Sequence, residues 1–428
     1  MRLPHGVGVV ADSFFTARKA RDLLKVTWST ESKARSYDSE AALKQFVARA
    51  ERLDDAGAVW HKQGDAAQKL AGATRVLRAT YTSEHVAQTT LEPMNCTARA
   101  DGDKIEIWVP SQSPSGVIGV VSAGAGFKPE NIKVNITLLG GGYGRRAEAD
   151  YSLEAALLAK AMPGVPIQVI WTREDDFLRS RPRPMTAQHL VAGIDAQGRI
   201  VGWRHRLVSE SITARTAPAI YEKTGGKDSP VMEGSDCVYQ ITDQLIEHCR
   251  EQRGVDVSFW RAVGAGYTKF AIETMIDEIA ASVGKDPLQY RLDMTAHAPR
   301  AQAVLREVAA MAGWGKPVKP GRALGLAFSD TWSSFIALVA EVSVENGRPA
   351  VHHLWAAVDC GHAISPANIK AQIEGAAIFG LSAALGERLV YKGGQVQQQN
   401  LHMYPLLRAN LAPVVEVKLT PTDNPPGG

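Results

Sequence analysis

The sequence predicts an α+β protein of several domains, and three observations carry that prediction. The chain has 428 residues, which at roughly 100–200 residues per domain points to more than one folded body. Short apolar or alternating runs of strand length recur between 106 and 209 and again beyond 322. One long stripe, TKFAIETMIDEIAASVG at 268–284, has Ile272, Met275, Ile276, Ile279 and Val283 on a single helical face.

In chain order, VGVVADSFFTARKARDLLKVTW (7–28) predicts a strand, a helix capped by Ser13, and a second strand. Residues 29–80 predict a polar connection with one helix from Ser39 to Arg52, turning apolar near VLRATY. Strands follow at EIWVPSQSPS (106–115), VNITLLG (134–140), PIQVIWT (166–172) and GRIVGWRHRLVS (198–209). Between them AEADYSLEAALLAKAM predicts a helix with Leu153, Leu157, Leu158 and Ala161 as its apolar stripe. The 268–284 helix ends at Gly284, with Pro287 preventing continuation. GWGKPVKPGR (313–322) breaks helix and strand alike, and places a domain boundary there. Strands return as LGLAFS, FIALVAEVSVE and HHLWAAVD, and a last long helix begins at Ser365 with Pro366 in its first position.

Composition excludes several functions. A net charge of +3 without a basic block gives no electrostatic case for nucleic acid. The four cysteines form no CxxC pair, so no disulfide framework, zinc ribbon or iron–sulfur cluster is predicted within this chain. No apolar run reaches the ~18 residues of a membrane helix. The start lacks the apolar region of an export signal, which predicts a soluble, cytoplasmic protein.

Five stretches can carry chemistry. GGGYGRR (140–146) joins a strand to a helix. Free N–H groups and the helix dipole there suit an anion, and arginine forks suit phosphate or another oxyanion. Glu148 and Asp150 compete for the same field, and the glycine spacing is not the dinucleotide fingerprint. The alternative is a tight turn with two solvated arginines. FWRAVGAGY (259–267) repeats the pattern of strand, glycine-bearing loop and helix; core packing of Phe259 and Trp260 is its plain alternative. DCGHAISPANIKAQIEGAAIFGL sets Gln372 and Glu374 in a helix of small residues, where Gly375 and Gly380 imply close packing. LEPMNC puts Glu92 between apolar residues, either paired or near the surface, and WTREDD (171–176) reads as a solvated, salt-bridged turn. His352, His353 and His362 lack ligand partners at useful spacing, and QVQQQ (395–399) reads as a polar strand or turn.

Taken in order, LEPMNCTA, GGGYGRR, WTREDD, FWRAVGAGY with IDEIA and GKDPLQYR, and DCG with QIEGAAIFGL resemble the molybdenum hydroxylase family over essentially the whole chain. That family includes xanthine dehydrogenase, aldehyde oxidoreductases and carbon monoxide dehydrogenase, and the likeness is greatest to large subunits of the isoquinoline 1-oxidoreductase type. The resemblance implies a partial α/β hammerhead domain at 1–80, then molybdopterin-cofactor-binding domains, the first part at 81–318 and an incomplete second part at 319–428. It implies that Gly141, Gly142, Tyr143, Gly144 and Arg145 lie against a molybdenum–pterin cofactor, with Trp260, Arg261 and Gly264 on a second loop and Gln372 bonding the pterin. Tyr143, Gln88 and Glu92 would border the substrate cavity, Gln88 standing where relatives commonly have histidine. The pterin, in the cytosine dinucleotide form, would hold the metal without protein ligands.

The implied chemistry is hydroxylation of an N-heterocycle or aldehyde with water as oxygen donor. The implied base is a glutamate expected just beyond Gly428. With no iron–sulfur cysteines here, electrons would pass to a small [2Fe–2S] subunit. Both ends look cut, since relatives carry a further N-terminal segment, often with a twin-arginine signal for export to the periplasm. The competing expectations are a non-catalytic, truncated or split chain lacking that base, and a plain nucleotide-binding protein using GGGYGRR for phosphate.

Overall fold

A computed structural model describes residues 1–428 and contains three principal sheets. The largest runs Ala58–Gln63, Gln244–Glu251, Ile200–Glu210, Thr186–Ile194, Arg75–Ser83 in spatial order. It is antiparallel except where Ile200–Glu210 meets Gln244–Glu251. A second sheet orders Ile132–Ile136, Lys104–Val109, Asn95–Asp101 and Ile167–Ile170. The third orders Arg322–Ser329, Phe335–Glu345, Arg348–Asp359 and Val414–Leu419, with its last pair parallel.

Each sheet is half of a core. Helices Ala265–Ser282, Pro287–Met294 and Pro299–Ala312 fill the space between the first and third sheets, where Ile272, Met275, Ile276 and Ile279 meet Leu190, Ala192, Phe328 and Val339. Pro114–Ala125 and Asp150–Ala161 cover the second sheet. Ser39–Glu51 lies on the opposite face of the first sheet, with Phe46 in a cluster that includes Ala187, Val208, Tyr391 and Tyr404. Thr186–Ile194 is therefore covered on both faces and buried at every position. No helix is long and apolar enough to cross a membrane.

Several sequence expectations are corrected. Lys25–Trp28 forms no strand, and Trp28 is largely exposed, because nothing pairs with that segment. The run expected as strand to residue 115 ends at Val109; Pro114 then starts a helix from its first turn. Helix Asp150–Ala161 buries Tyr151, Ala155, Ala156, Leu158 and Ala159, leaving Leu153 and Leu157 half-buried, because small residues let it sit close on the sheet. WTREDD is not a solvated turn: Thr172 and Asp175 form a reciprocal capping box for helix Arg173–Leu178. Phe259 and Trp260 lie outside any strand. The helix read from 268 begins at Ala265 and ends at Ser282, and Gly284 beyond it takes φ 67°.

Candidate functional site

The loop 140–146 leaves the second sheet after Ile136 and is tied down at both shoulders. Gly140 N–H donates to Glu92 Oε2 at 2.9 Å and Gly144 N–H to Gln112 Oε1 at 3.1 Å. Between them the N–H groups of Gly141, Gly142 and Tyr143 donate to no group of the chain, although Gly142 is buried. Gly141, Tyr143 and Gly144 hold φ of 93°, 48° and 99°. Left-handed backbone of this kind turns successive N–H groups to one side and forms an anion-binding concavity.

The two arginines are not solvated, as the turn reading expected, but among the most buried side chains of the protein. Arg145 grips Asp150 with two hydrogen bonds of 2.9 and 2.8 Å. Burial alone would raise the Asp150 carboxyl; Arg145, with Arg181 behind it, more than offsets this and holds it well below the usual range. Arg146 donates to Gly141 O, Pro110 O, Glu92 O and Glu92 Oε2 at 2.9–3.1 Å. Both guanidinium groups therefore prop the bare loop from within.

The second loop, 259–264, packs directly against the first. A Cβ on Gly144 would stand 2.5 Å from the Phe259 carbonyl oxygen, and one on Gly264 2.5 Å from that of Val231. These two glycines are thus required by the approach of one chain segment to another. Ala262 and Val263 take φ of 77° and 49°, conformations that cost of order 1–3 kcal/mol and persist where the surroundings impose them. The N–H groups of Arg261 and Ala262, and of Ala265 and Gly266 at the following helix N-terminus, donate to nothing in the chain.

The long helix Pro366–Leu385 closes the arrangement. Arg261 donates to Gln372 through its carbonyl at 2.9 Å and its Oε1 at 3.0 Å. Phe379, seven residues on and therefore on the same face, stacks on Trp260 with centroids 4.7 Å apart. The Tyr143 ring lies 4.7 Å from the same Phe379, and the Arg261 guanidinium stands 5.9 Å from it. Tyr143, Trp260, Arg261 and Gln372, distant in sequence, meet around one aromatic ring.

The other residues singled out from sequence stand behind this group. Gln88 is buried and its amide donates to Arg181 O and Phe259 O, both at 2.7 Å. Glu92 braces Gly140 and Arg146. Sequence reasoning missed Phe379 and Gln112, and read Glu148 only as a competitor for the anion field of the loop. Phe379 was discoverable from its seven-residue spacing to Gln372. Glu148 receives Arg181, Arg215 and Ser258 Oγ, joining the first loop to the residue that precedes the second. No group of three or more His, Cys, Asp or Glu side chains is placed to hold a metal ion.

Comparison with known proteins gives the family and the fold. The molybdopterin cofactor-binding domain family matches residues 51–294, and a second domain of the same description matches 258–413. The chain is 34% identical to the isoquinoline 1-oxidoreductase subunit beta of Brevundimonas diminuta, over all of this chain and 56% of that protein. It is 29% identical to a membrane-bound aldehyde dehydrogenase of Gluconacetobacter polyoxogenes, whose name carries pyrroloquinoline quinone, over 99% of this chain and 58% of that one. The chain thus spans little more than half the length of these two relatives. Quinoline 2-oxidoreductase from Pseudomonas putida 86 shares the fold, with a TM-score of 0.76 at 15% identity, over 97% of this chain and 78% of that one.

Proposed function

Since the chain belongs to the molybdopterin cofactor-binding domain family, we propose that it forms the cofactor-binding part of the large subunit of a molybdenum hydroxylase. The observation that carries the reading is the set of unpartnered N–H groups on two abutting loops: Gly141, Gly142 and Tyr143 on one, Arg261 and Ala262 on the other. Such donors suit the oxo, pyrophosphate and pterin acceptors of this cofactor, and the free helix N-terminus at Ala265 suits its phosphates. The donor set therefore fits the group.

When bound, molybdopterin supplies the two-electron chemistry by which an electron-poor carbon is hydroxylated with oxygen from water. The chain's own contribution is placement. Gly141, Gly142 and Tyr143 present backbone donors at close approach, while Gly144 lets the first loop lie against Phe259, Arg145 holds that loop through Asp150, and Gly264 lets the second loop lie against Val231. Gln372, oriented by Arg261 through its carbonyl oxygen, offers its amide N–H groups to a heterocycle edge. Trp260 walls the site on one side and Tyr143 stands at its open edge, with Gln88 and Glu92 fixing the loops that border the substrate.

The substrate is an N-heterocycle or an aldehyde, the two classes that the names of the relatives above print. Electrons leave through a small [2Fe–2S] subunit, a reading supported by the similarity to the beta subunit of isoquinoline 1-oxidoreductase. The cofactor carries the cytosine dinucleotide. The second reading is a chain that binds no cofactor and turns over nothing. The test is to purify the full-length protein with its partner and measure molybdenum, released pterin nucleotide and quinone. About one molybdenum and one pterin per chain supports the reading. Quinone without molybdenum, or neither group, overturns it.

A further inference from the structure

Between strands Ile200–Glu210 and Gln244–Glu251 the chain leaves the first sheet for an excursion, 211–235, built round one carboxylate. Asp228 is fully buried and accepts four hydrogen bonds. Its Oδ1 takes Val231 N–H at 3.0 Å and the Thr213 hydroxyl at 2.9 Å. Its Oδ2 takes Thr213 N–H at 2.9 Å and the Ser211 hydroxyl. The two oxygens therefore tie the end of strand Ile200–Glu210, through Ser211 and Thr213, to the turn Ser229–Met232.

That turn lies along the second loop and the helix that follows it. Pro230 O accepts Gly264 N–H at 2.9 Å, Val231 O accepts the Tyr267 hydroxyl at 2.9 Å, and Glu233 O accepts the Thr268 hydroxyl at 2.7 Å. The approach is so close that a Cβ on Gly234 would stand 2.9 Å from Ala265 Cα. The other end of the loop is held from the same excursion, where Arg215 donates to Val257 O through two nitrogens at 3.1 and 2.9 Å. Loop 258–264 is thus pinned at both ends, and Ala262 and Val263 take their left-handed conformations between the two pins. Such strain persists where the surroundings over-determine it, and these contacts do so.

We propose that Asp228 is a positioning residue for the ligand site: by seating turn 229–234 on the first sheet, it fixes Gly264 and so the reach of the free N–H groups of Arg261 and Ala262. The arrangement requires a carboxylate rather than an amide. Each oxygen faces one backbone N–H, of Val231 on one side and of Thr213 on the other, and neither N–H can turn away. The hydroxyls of Ser211 and Thr213 can rotate to suit. Asparagine has a single acceptor oxygen beside an NH2 group. Asp228→Asn therefore sets a donor against a donor at one of the two N–H groups, leaving it buried without a partner.

The inference rests on the cofactor reading only for the identity of the ligand. Its test is site-resolved amide hydrogen exchange on the full-length protein with its partner, comparing wild type, Asp228→Asn and Ser211→Ala. The reporters are Gly264 N–H, bonded to Pro230 O, and Val263 N–H, bonded to Trp260 O at 2.6 Å. Asparagine fills the space of aspartate, so a packing role alone would leave both amides unchanged. Asp228→Asn should instead speed their exchange about tenfold while strand Thr186–Ile194 keeps its protection. Ser211→Ala, which leaves both N–H bonds to Asp228 in place, should speed it less than about threefold. Release of molybdenum from the purified proteins is followed in parallel and should be about tenfold faster for Asp228→Asn than for wild type. Faster exchange confined to Thr213 and Val231, a rise spread evenly over the molecule, an equal effect of the two variants, or unchanged molybdenum release overturns the proposal. A wild-type protein without molybdenum would sink the cofactor reading and leave the exchange contrast to decide the role of Asp228 by itself.

Discussion

Glu148 gathers Arg181, Arg215 and the Ser258 hydroxyl in a space where its side chain is only 7% exposed. Burial would raise this carboxyl, but the two guanidinium groups outweigh it, so its folded value lies below the ordinary one. The stabilisation is therefore present above the ordinary carboxylate value and is lost as pH falls through the lowered one. Glu148→Ala leaves Arg215 without a carboxylate and Arg181 with only its longer contacts to Asp150 at 3.7 Å and Asp256 at 3.9 Å, and should cost about 3 kcal/mol, read from urea unfolding at neutral pH. Glu210 works in the opposite direction. Burial pushes its carboxyl up to about 7, against the backbone N–H groups of Arg253, at 3.0 Å, and Val255. Here the native state holds the proton longer, so this group's contribution falls as pH rises from the ordinary value towards 7. The advantage of Glu210→Gln over the wild type should accordingly grow by up to roughly 3 kcal/mol between pH 5 and pH 8. A difference that stays flat across that range would rule the assignment out. Neither role was visible in sequence, because a carboxylate's meaning here is set by arginines and backbone donors distant in the chain. GGGYGRR shows the same limit: the sequence marked the loop, but two exposed cations and two buried props look alike in one dimension.

At the scale of elements, what was legible followed from local rules. The Ala265–Ser282 helix, the N-terminus at Pro366 and the strands of the third sheet each carry a periodicity or cap that needs no tertiary context. Strand Thr186–Ile194 was not legible: it is buried on both faces, so TAQHLVAGI alternates in no useful way, and its polar members are satisfied by neighbours such as Tyr267 O. The meeting of the two loops was legible only as two glycine-rich stretches, not as a contact. That contact makes a sharp demand on Gly144, where an added Cβ would strike the Phe259 carbonyl at φ 99°. Gly144→Ala should destabilise by more than about 2 kcal/mol and lower bound molybdenum with it. Ala262, at φ 77°, lies on the other side of the same contact. Ala262→Gly relieves the strain and should raise stability by roughly 1 kcal/mol, seen as a higher midpoint in thermal melts. A lower midpoint would mean that the methyl group packs more than it strains.

For the whole molecule, the decisive feature is that one core runs across the Gly/Pro-rich segment 313–322. Leu326, Phe328, Ala337, Val339 and Ala357 beyond it share a cluster with Ile272, Met275, Ile276 and Ile279 before it. Composition marks that segment as a break because glycine and proline interrupt elements, but whether two cores or one lie on either side depends on which faces meet. Here the helices 265–312 offer one face to the first sheet and another to the third, so removing the third sheet strips a face that nothing else covers. Burying a large apolar side chain contributes roughly 1.5–3 kcal/mol, and several would be exposed together, against a total stability of about 5–15 kcal/mol. A protein stopped at residue 318 should therefore lack a cooperative thermal transition and bind a hydrophobic dye, with its far-ultraviolet dichroism largely kept. The longer chain should melt in a single transition that near- and far-ultraviolet dichroism report together. If the shortened protein instead melts cooperatively and leaves the dye unbound, the two sides of 313–322 are separate folding units. The site would then be assembled at a docking surface between them, since Trp260 and Arg261 come from one side and Gln372 and Phe379 from the other.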